Sequence, residues 1–128
     1  MDVTPLVRKG QQIIQAYARG VFKISGKPYE TAVLVMPDET LVWPVSATSL
    51  DALCEDDFKI LLDRRSEMDV FLLGTGETIA FLPKSLKSFL KAQGLHVEVM
   101  DTGAACRTYN VLMAEGRRVA AALLPCGA

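Results

Sequence analysis

Apolar and polar residues alternate along the first third of the chain. Every second residue from 14 to 19 is apolar, which is the two-residue period of a half-buried strand. The β-branched and aromatic stretch 21–24 predicts a second strand, and residues 25–28 form a strong turn signal before a third predicted strand at 29–36. Because both faces of this third strand are apolar, we expect it to be buried on both sides. The pattern predicts antiparallel N-terminal strands with a β-hairpin extension.

The hydrophobic period changes in the middle of the chain. Apolar residues recur at spacings of three and four between 50 and 62, which is typical of an amphipathic helix. Thr48 or Ser49 is suited to cap its first turn, because a hydroxyl oxygen accepts a hydrogen bond from a free backbone N–H at that position. A helix is therefore expected directly after the antiparallel strands.

Strands and helices alternate through the second half. Short apolar runs predict strands at 69–73, 96–100 and 118–124, and helical spacing predicts helices at 82–91 and 103–114. This βαβαβ order favours parallel neighbouring strands joined by right-handed crossovers. The predicted fold class is α/β, with a mixed sheet covered by helices.

The length fits one domain that spans residues 1–128. Half of the residues are apolar and 23% are charged, which excludes a disordered chain. Because 14 basic side chains stand against 15 acidic ones, we expect no nucleic-acid partner. The apolar runs are too short to span a bilayer, and the first ten residues resemble neither a secretory signal nor a mitochondrial transit peptide. We therefore expect a cytoplasmic protein without a transmembrane segment.

The pattern predicts neither a metal site nor a catalytic constellation. Cys54, Cys106 and Cys126 are far apart and His96 is the only histidine, so we expect no zinc site and no cofactor. Cys106 lies near a predicted helix N-terminus, which can lower the pKa of a thiol, but nothing in the pattern places His96 beside it as a base. We expect Cys106 to pack as a small apolar side chain, and we predict no enzymatic activity.

Two loops that contain glycine and threonine follow predicted parallel strands. Ligands of open parallel sheets bind beyond the carboxyl ends of the strands, and the free N–H groups of a helix N-terminus attract anions. The candidate residues for binding an anion or another small ligand are Gly74, Thr75, Gly76, Asp101, Thr102 and Gly103. The structural alternative is that the glycines make tight turns and that Asp101 or Thr102 caps the helix.

Two polar helix faces are candidates for binding a protein partner. Arg107 and Asn110 lie three residues apart on the third predicted helix, opposite its apolar face. A basic stripe on the second predicted helix is suited to an acidic partner or to an anionic membrane surface; it consists of Lys84, Lys87 and Lys91. For both faces, the alternative is a helix surface that contacts only water.

The C-terminal third carries a recognisable motif. It comprises residues 100–112 (MDTGAACRTYNVL), residues 115–117 (EGR) and residues 119–123 (VAAAL), and residues 72–76 (LLGTG) add to it. Together they resemble the Mth938-like family, also called DUF498, and the resemblance extends over almost the whole chain. It implies a three-layer α/β fold with a mixed central sheet, and it carries over no catalytic residue.

The resemblance also implies a class of function. The family includes prokaryotic single-domain proteins without an assigned activity, an animal adipogenesis-associated protein and a mitochondrial assembly factor of respiratory complex I. It therefore implies a non-catalytic interaction protein or assembly factor, with complex I or membrane-assembly components as candidate partners. Without a transit peptide, a prokaryotic cytoplasmic member is expected, with peripheral association with a membrane as a further option. The alternative hypothesis is a protein that binds a small anion at residues 74–76 and Thr102.

Overall fold

The strands form two sheets in the part of the chain that the computed structural model describes, residues 10–45 and 53–126. Their bounds are β1 (Ile14–Ala16), β2 (Phe22–Ile24), β3 (Lys27–Tyr29), β4 (Val33–Val35), β5 (Thr40–Val42), β6 (Val70–Gly74), β7 (Val97–Met100) and β8 (Val119–Leu123). The order is β1-β2-β3 in a small sheet and β5-β4-β8-β6-β7 in the central sheet. The predicted hairpin extension is thus a three-stranded antiparallel sheet.

The central sheet is mixed, as the sequence predicts. β4 runs antiparallel to β5 and to β8, whereas β6 runs parallel to β7 and to β8. The parallel pairs arise in the second half of the chain, where each crossover returns the chain to the same end of the sheet. β8 has neighbours of both directions, and all of its residues are buried.

Helices cover both faces of the central sheet. The described helices are α1 (Lys59–Asp63), α2 (Lys84–Ala92) and α3 (Thr102–Ala114), with 3₁₀ turns at Glu55–Phe58 and Arg65–Glu67. α3 begins one residue before the predicted start, because the carboxylate of Asp101 accepts a hydrogen bond from the backbone N–H of Ala104 at 2.8 Å. Of the two proposed caps, Asp101 is therefore the one used.

Alternate residues of the central strands face two apolar layers. On one face, residues of α1 and α2 and Trp43 pack against Leu34, Phe71, Leu73, Ala120 and Ala122. On the other face, residues of α3 and of the small sheet pack against Val33, Val35, Leu72, Ala121 and Leu123. The central strands are therefore buried on both sides, and the fold has the three layers that the resemblance implied.

The prediction of a single strand at 29–36 is wrong in its extent. Tyr29 ends β3 and pairs with Phe22, whereas Val33 begins β4 and pairs with Leu123 of the central sheet. The chain passes from one sheet to the other between these residues, which a local apolar pattern does not reveal. The expected burial on both sides is confirmed for β4.

The first helix is shorter than the apolar spacing predicted. α1 follows a 3₁₀ turn whose start is fixed by Asp57, because its carboxylate accepts a hydrogen bond from the backbone N–H of Cys54 at 2.8 Å. The proposed caps Thr48 and Ser49 lie outside the described residues. No helix within residues 10–45 and 53–126 combines the length and the apolar character that crossing a membrane requires.

Candidate functional site

The two predicted loops meet at one end of the central sheet. β6 and β7 are parallel neighbours, so the loops that follow them leave the sheet side by side. The backbone N–H of Thr102 donates to the carbonyl of Gly76 at 2.9 Å, and the N–H of Gly76 donates to Thr102 Oγ1 at 2.8 Å. The loops therefore lie together, as the predicted strand order required, and they contact each other directly.

The hydroxyl group of Thr102 joins three segments of the chain. It is fully buried, and it donates to the carbonyl of Leu124 at 2.6 Å while it accepts from Gly76. Thr102 thus connects the start of α3 with the loop after β6 and with the residue after β8. The hydrogen-bonding capacity of this hydroxyl group is used within the protein.

Gly74 allows α3 to begin directly against the end of β6. A Cβ atom at this position would stand 2.8 Å from Thr102 Oγ1 and 2.9 Å from Thr102 Cα. Real Cβ atoms do not approach other atoms so closely, so only glycine fits without a shift of the backbone. Protein atoms fill the space beside Gly74 on the side that faces α3.

Thr75 and Asp101 also have partners within the chain. Thr75 Oγ1 donates to the carbonyl of Thr78 at 2.6 Å and accepts from the N–H of Ala80 at 3.2 Å, while Asp101 caps α3. These pairings favour the structural alternative for the two loops. Anion binding stays a prediction for the set Gly74, Thr75, Gly76, Asp101, Thr102 and Gly103.

Arg107 is exposed, and its side chain extends toward the start of its own helix. Its Nη1 donates to the hydroxyl oxygen of Tyr17 at 2.8 Å and lies 3.3 Å from the point where a Cβ atom on Gly103 would stand. This is the direction in which long side chains lean on a helix. A guanidinium cation therefore lies beside the positive end of α3, and none of the ion pairs among the described residues includes it.

Asn110 contacts β1 instead of lying on a free surface. Its Nδ2 donates to the carbonyl of Ile14 at 2.8 Å, and its Oδ1 accepts from the N–H of Ile14 at 2.9 Å. The hydroxyl group of Tyr109 donates to the carbonyl of Gln12 at 2.8 Å. Helical spacing placed Asn110 with Arg107 on the water-facing side, and the contact with β1 corrects that placement. A role for Asn110 in partner binding stays a prediction.

Replacing Asn110 by alanine is expected to lower the free energy of unfolding by about 2 kcal/mol, because both backbone groups of Ile14 lose their partner. Urea unfolding gives this difference, and hydrogen exchange at Ile14 should become faster. Val111→Ala is the matched control on the same helix, because the side chain of Val111 is 57% exposed. Equal losses in the two variants would contradict the role assigned to the amide.

Cys106 and His96 lie in different layers. Cys106 is buried between α3 and the central sheet, and burial is the main cause that raises the pKa of its thiol to about 12. His96 is exposed and lines a groove beside α2, on the other face of the sheet. The expectation that Cys106 packs as a small apolar residue is confirmed, and the pair does not form a nucleophile with its base.

The raised pKa of Cys106 predicts a loss of stability at high pH. The ordinary thiol pKa is 9.0 and the folded-state pKa is about 12, so the stabilising contribution is present below about pH 9 and is lost as the pH rises toward 12. We expect the free energy of unfolding to fall with a slope approaching about 1.4 kcal/mol per pH unit. Urea unfolding at several pH values above 8 measures the slope. Cys106→Ala should give a shallower fall, and an equally steep fall would contradict the assignment.

The basic stripe on α2 is exposed, as the sequence predicts. None of the ion pairs among the described residues involves Lys84, Lys87 or Lys91; those pairs join Arg64 to three carboxylates and Arg118 to Asp69. Lys87 and Lys91, but not Lys84, border a groove of about 210 Å³. Two lysines of the stripe therefore lie at the groove, whereas Lys84 lies on exposed helix surface outside it.

Sequence reasoning identified neither this groove nor the exposed apolar residues in the loop before α2. The groove has an apolar floor, and His96 lies at its rim. In the loop before α2, Ile79 and Phe81 are 56% and 80% exposed. The clustering of apolar residues with lysines from 79 to 97 was the available signal, but helical spacing assigned the apolar residues of the predicted helix at 82–91 to its buried face.

Residues 14–124 match the family described as protein of unknown function (DUF498/DUF598). An uncharacterized protein of Rhodobacter capsulatus is 39% identical over 112 residues, which cover 88% of this chain and 83% of that protein. NADH dehydrogenase (ubiquinone) 1 alpha subcomplex assembly factor 3 of Xenopus tropicalis is 33% identical over 96% of this chain and 67% of its own length. The human protein of the same name is matched over only 60% of its length.

Solved structures agree with this assignment. A protein from Bordetella pertussis, described as a Mth938-like domain, superposes with a TM-score of 0.71 at 28% identity and covers 99% of this chain and 94% of its own. An outer membrane protein from Bartonella henselae gives a TM-score of 0.80 at 30% identity, over 91% of this chain and 97% of its own. By its matched residues and by its three-layer fold, this chain belongs to the Mth938-like family, DUF498.

Proposed function

We propose that this chain is a non-catalytic, protein-binding assembly factor for a respiratory membrane complex, with subunits of complex I as its partners. The observation that carries the proposal is the likeness to assembly factor 3 of Xenopus tropicalis, which extends over 96% of this chain. An assembly factor needs accessible surface for its partners, and the exposed basic stripe on α2 supplies it.

The arrangement of reactive groups supports a role without catalysis. The buried thiol of Cys106 has a pKa raised by burial, and the imidazole of His96 lies in another layer. A nucleophile needs a base within hydrogen-bond reach, which this arrangement does not provide. The separation of Cys106 from His96 therefore supports a binding role for this protein.

A pull-down with the tagged protein from its native organism tests the proposal. Soluble and detergent-extracted membrane fractions are analysed separately by mass spectrometry. We expect respiratory-complex subunits to be enriched, and we expect Lys87→Glu/Lys91→Glu or Arg107→Glu to reduce their recovery roughly tenfold, since like charges oppose docking.

The matched control is Lys59→Glu, because Lys59 is an exposed lysine on α1. It should leave recovery unchanged, and the melting temperature of each variant should stay close to that of the wild type. Unchanged recovery in all variants would show that these surfaces are not the interface. A lack of enriched respiratory subunits would contradict the assembly role itself.

The second candidate function is binding of a small anion at the start of α3. It is favoured by the guanidinium of Arg107, which lies beside Gly103 and donates to Tyr17. A thermal-shift screen with phosphates, nucleotides and carboxylates tests it. A ligand at about 100 times its dissociation constant should add about 2.7 kcal/mol of stability, and Arg107→Gln should abolish the shift. No shift with any anion would contradict this function.

A further inference from the structure

β7 has an edge that no described strand covers. It is the terminal strand of the central sheet on its side, so among the described strands it has a neighbour only in β6. The carbonyl of Met100 accepts from the N–H of Thr75 at 2.9 Å, on the side of β6. Because successive residues of a strand turn their backbone groups to opposite sides, Val97 and Val99 present theirs to the open edge. Such an edge is a template for another extended segment.

The groove of about 210 Å³ runs along α2 next to this edge. Its apolar floor is formed by Leu82, Leu90, Leu95 and Val97. Leu82 precedes α2 and Leu95 follows it, so the floor extends along the helix, and the side chains of Val97 and Val99 pack on the same face. A strand added beside β7 would direct every second side chain toward this floor.

Within the described part of the chain, the charged residues that border the groove are basic. Lys87 and Lys91 line it, and no ion pair among the described residues neutralises them. Glu98 alternates with Val97 and Val99 along β7, so its side chain points to the other face of the sheet. The groove therefore favours acidic side chains in its occupant.

We propose that β7 and this groove bind an extended segment of a partner protein in which apolar and acidic side chains share one face. The segment adds a strand to the sheet through the backbone groups of Val97 and Val99, its apolar side chains contact the leucine floor, and its carboxylates pair with Lys87 and Lys91. This inference rests on the proposed function, because it names the chemistry by which the protein-binding role is carried out.

Titration with a synthetic peptide, followed by amide NMR of the labelled full-length protein, tests the proposal. The probe peptide alternates leucine and glutamate at every second position, with threonine between them. We expect shifts at Val97, Val99 and α2, slower hydrogen exchange at Val97 and Val99, and a dissociation constant below about 1 mM. A peptide of the same composition, with leucine and glutamate on opposite faces, should bind at least tenfold more weakly.

A charge exchange tests the role of the lysines. Lys87→Glu/Lys91→Glu should weaken the probe peptide at least tenfold, and replacing the glutamates of the peptide by lysine should restore binding to this variant. Lys84→Glu is the matched control, because Lys84 lies on the same helix but does not line the groove. Equal weakening by Lys84→Glu would overturn the assignment to the groove.

Val99→Pro tests the open edge. Proline removes an N–H that points away from β6, which an edge strand tolerates, so binding of the probe peptide should be lost while the hydrogen bonds between β7 and β6 remain. If this variant does not fold, the charge exchange still tests whether the probe peptide binds at the groove. No shifts at about 1 mM probe peptide, or shifts confined to α3, would overturn the proposal.

Other occupants give different results. If the wild type dimerises in sedimentation experiments and Val99→Glu makes it monomeric, the edge pairs with a second copy and the proposal is wrong. If respiratory subunits are recovered equally with wild type and Lys87→Glu/Lys91→Glu, while the probe peptide does not bind, this inference fails and the assembly role stands. If the probe peptide binds as expected but no respiratory subunit is recovered, the assembly role fails and the edge site stands.

Discussion

Gly74→Ala is expected to lower the free energy of unfolding by about 3 kcal/mol, at the upper end of the usual cost of overpacking. The added Cβ atom would meet the hydroxyl group and the Cα atom of Thr102 at 2.8 and 2.9 Å, and Leu123 Cδ2 at 3.0 Å. Two of these atoms belong to the buried start of α3, where no flexible side-chain end can move aside. Urea unfolding measures the loss, and the N-terminal turn of α3 should show faster hydrogen exchange.

The control for Gly74→Ala is Gly94→Ala, which adds the same atom where, among the described residues, no atom beyond those of Gly94 and its two chain neighbours lies within 4 Å. Gly94 has a φ of +80°, so alanine there costs about 1 kcal/mol through backbone strain alone. A loss at Gly74 no greater than the loss at Gly94 would contradict the close contact with Thr102.

Thr102→Val is expected to cost about 3 kcal/mol. Valine keeps the shape of the side chain but removes the hydroxyl group, so the N–H of Gly76 and the carbonyl of Leu124 lose their partner in a buried place. Each unpaired buried group costs about 1–3 kcal/mol. Urea unfolding of the variant measures the loss, and exchange of the Gly76 amide should accelerate most.

Thr102→Ser separates the hydroxyl group from the methyl group. Serine keeps both hydrogen bonds and loses one buried methyl, which costs about 1 kcal/mol. If valine and serine destabilise the protein equally, the hydroxyl group does not hold the three segments together.

The predicted losses of stability at Gly74 and Thr102 determine which variants can test function. Because Gly74 and Thr102 support the fold, their variants would lose ligand or partner binding through unfolding, whatever the site of binding. Arg107, Lys87 and Lys91 are exposed, and exposed substitutions usually change stability by about 0.5 kcal/mol or less. They are the positions at which a loss of binding can be attributed to the binding surface.

Much of the fold follows from patterns over short stretches of the chain. The alternation of strands and helices after residue 69 predicted the parallel pairs, because crossovers have one favoured hand. Asp101 or Thr102 was expected as a cap, since a side-chain oxygen before a helical apolar period accepts a hydrogen bond from a free backbone N–H group. The exposed lysines of α2 follow in the same way from the 3.6-residue period.

The placement of the two candidate loops was also predictable, but their role was not. Parallel neighbours bring their carboxyl ends together, so the loops at 74–76 and 101–103 had to lie close to each other. Whether a crevice stays open between them depends on distances of a few tenths of an ångström. Thr102 joins the two loops by hydrogen bonds to Gly76 and Leu124, and a local pattern does not contain those distances.

By itself, the sequence determined the α/β class, the order of strands and helices after residue 69, the start of a helix near Asp101 and Thr102, and the basic stripe, because each depends on residues a few positions apart. Tertiary structure alone decided that Asn110 holds β1, which is 96 residues distant, and that residues 29–36 divide between two sheets. It also decided that β7 lies at an edge beside a basic groove. These features depend on which segments that are distant in the sequence pack together, and this packing depends on all of the core residues at once.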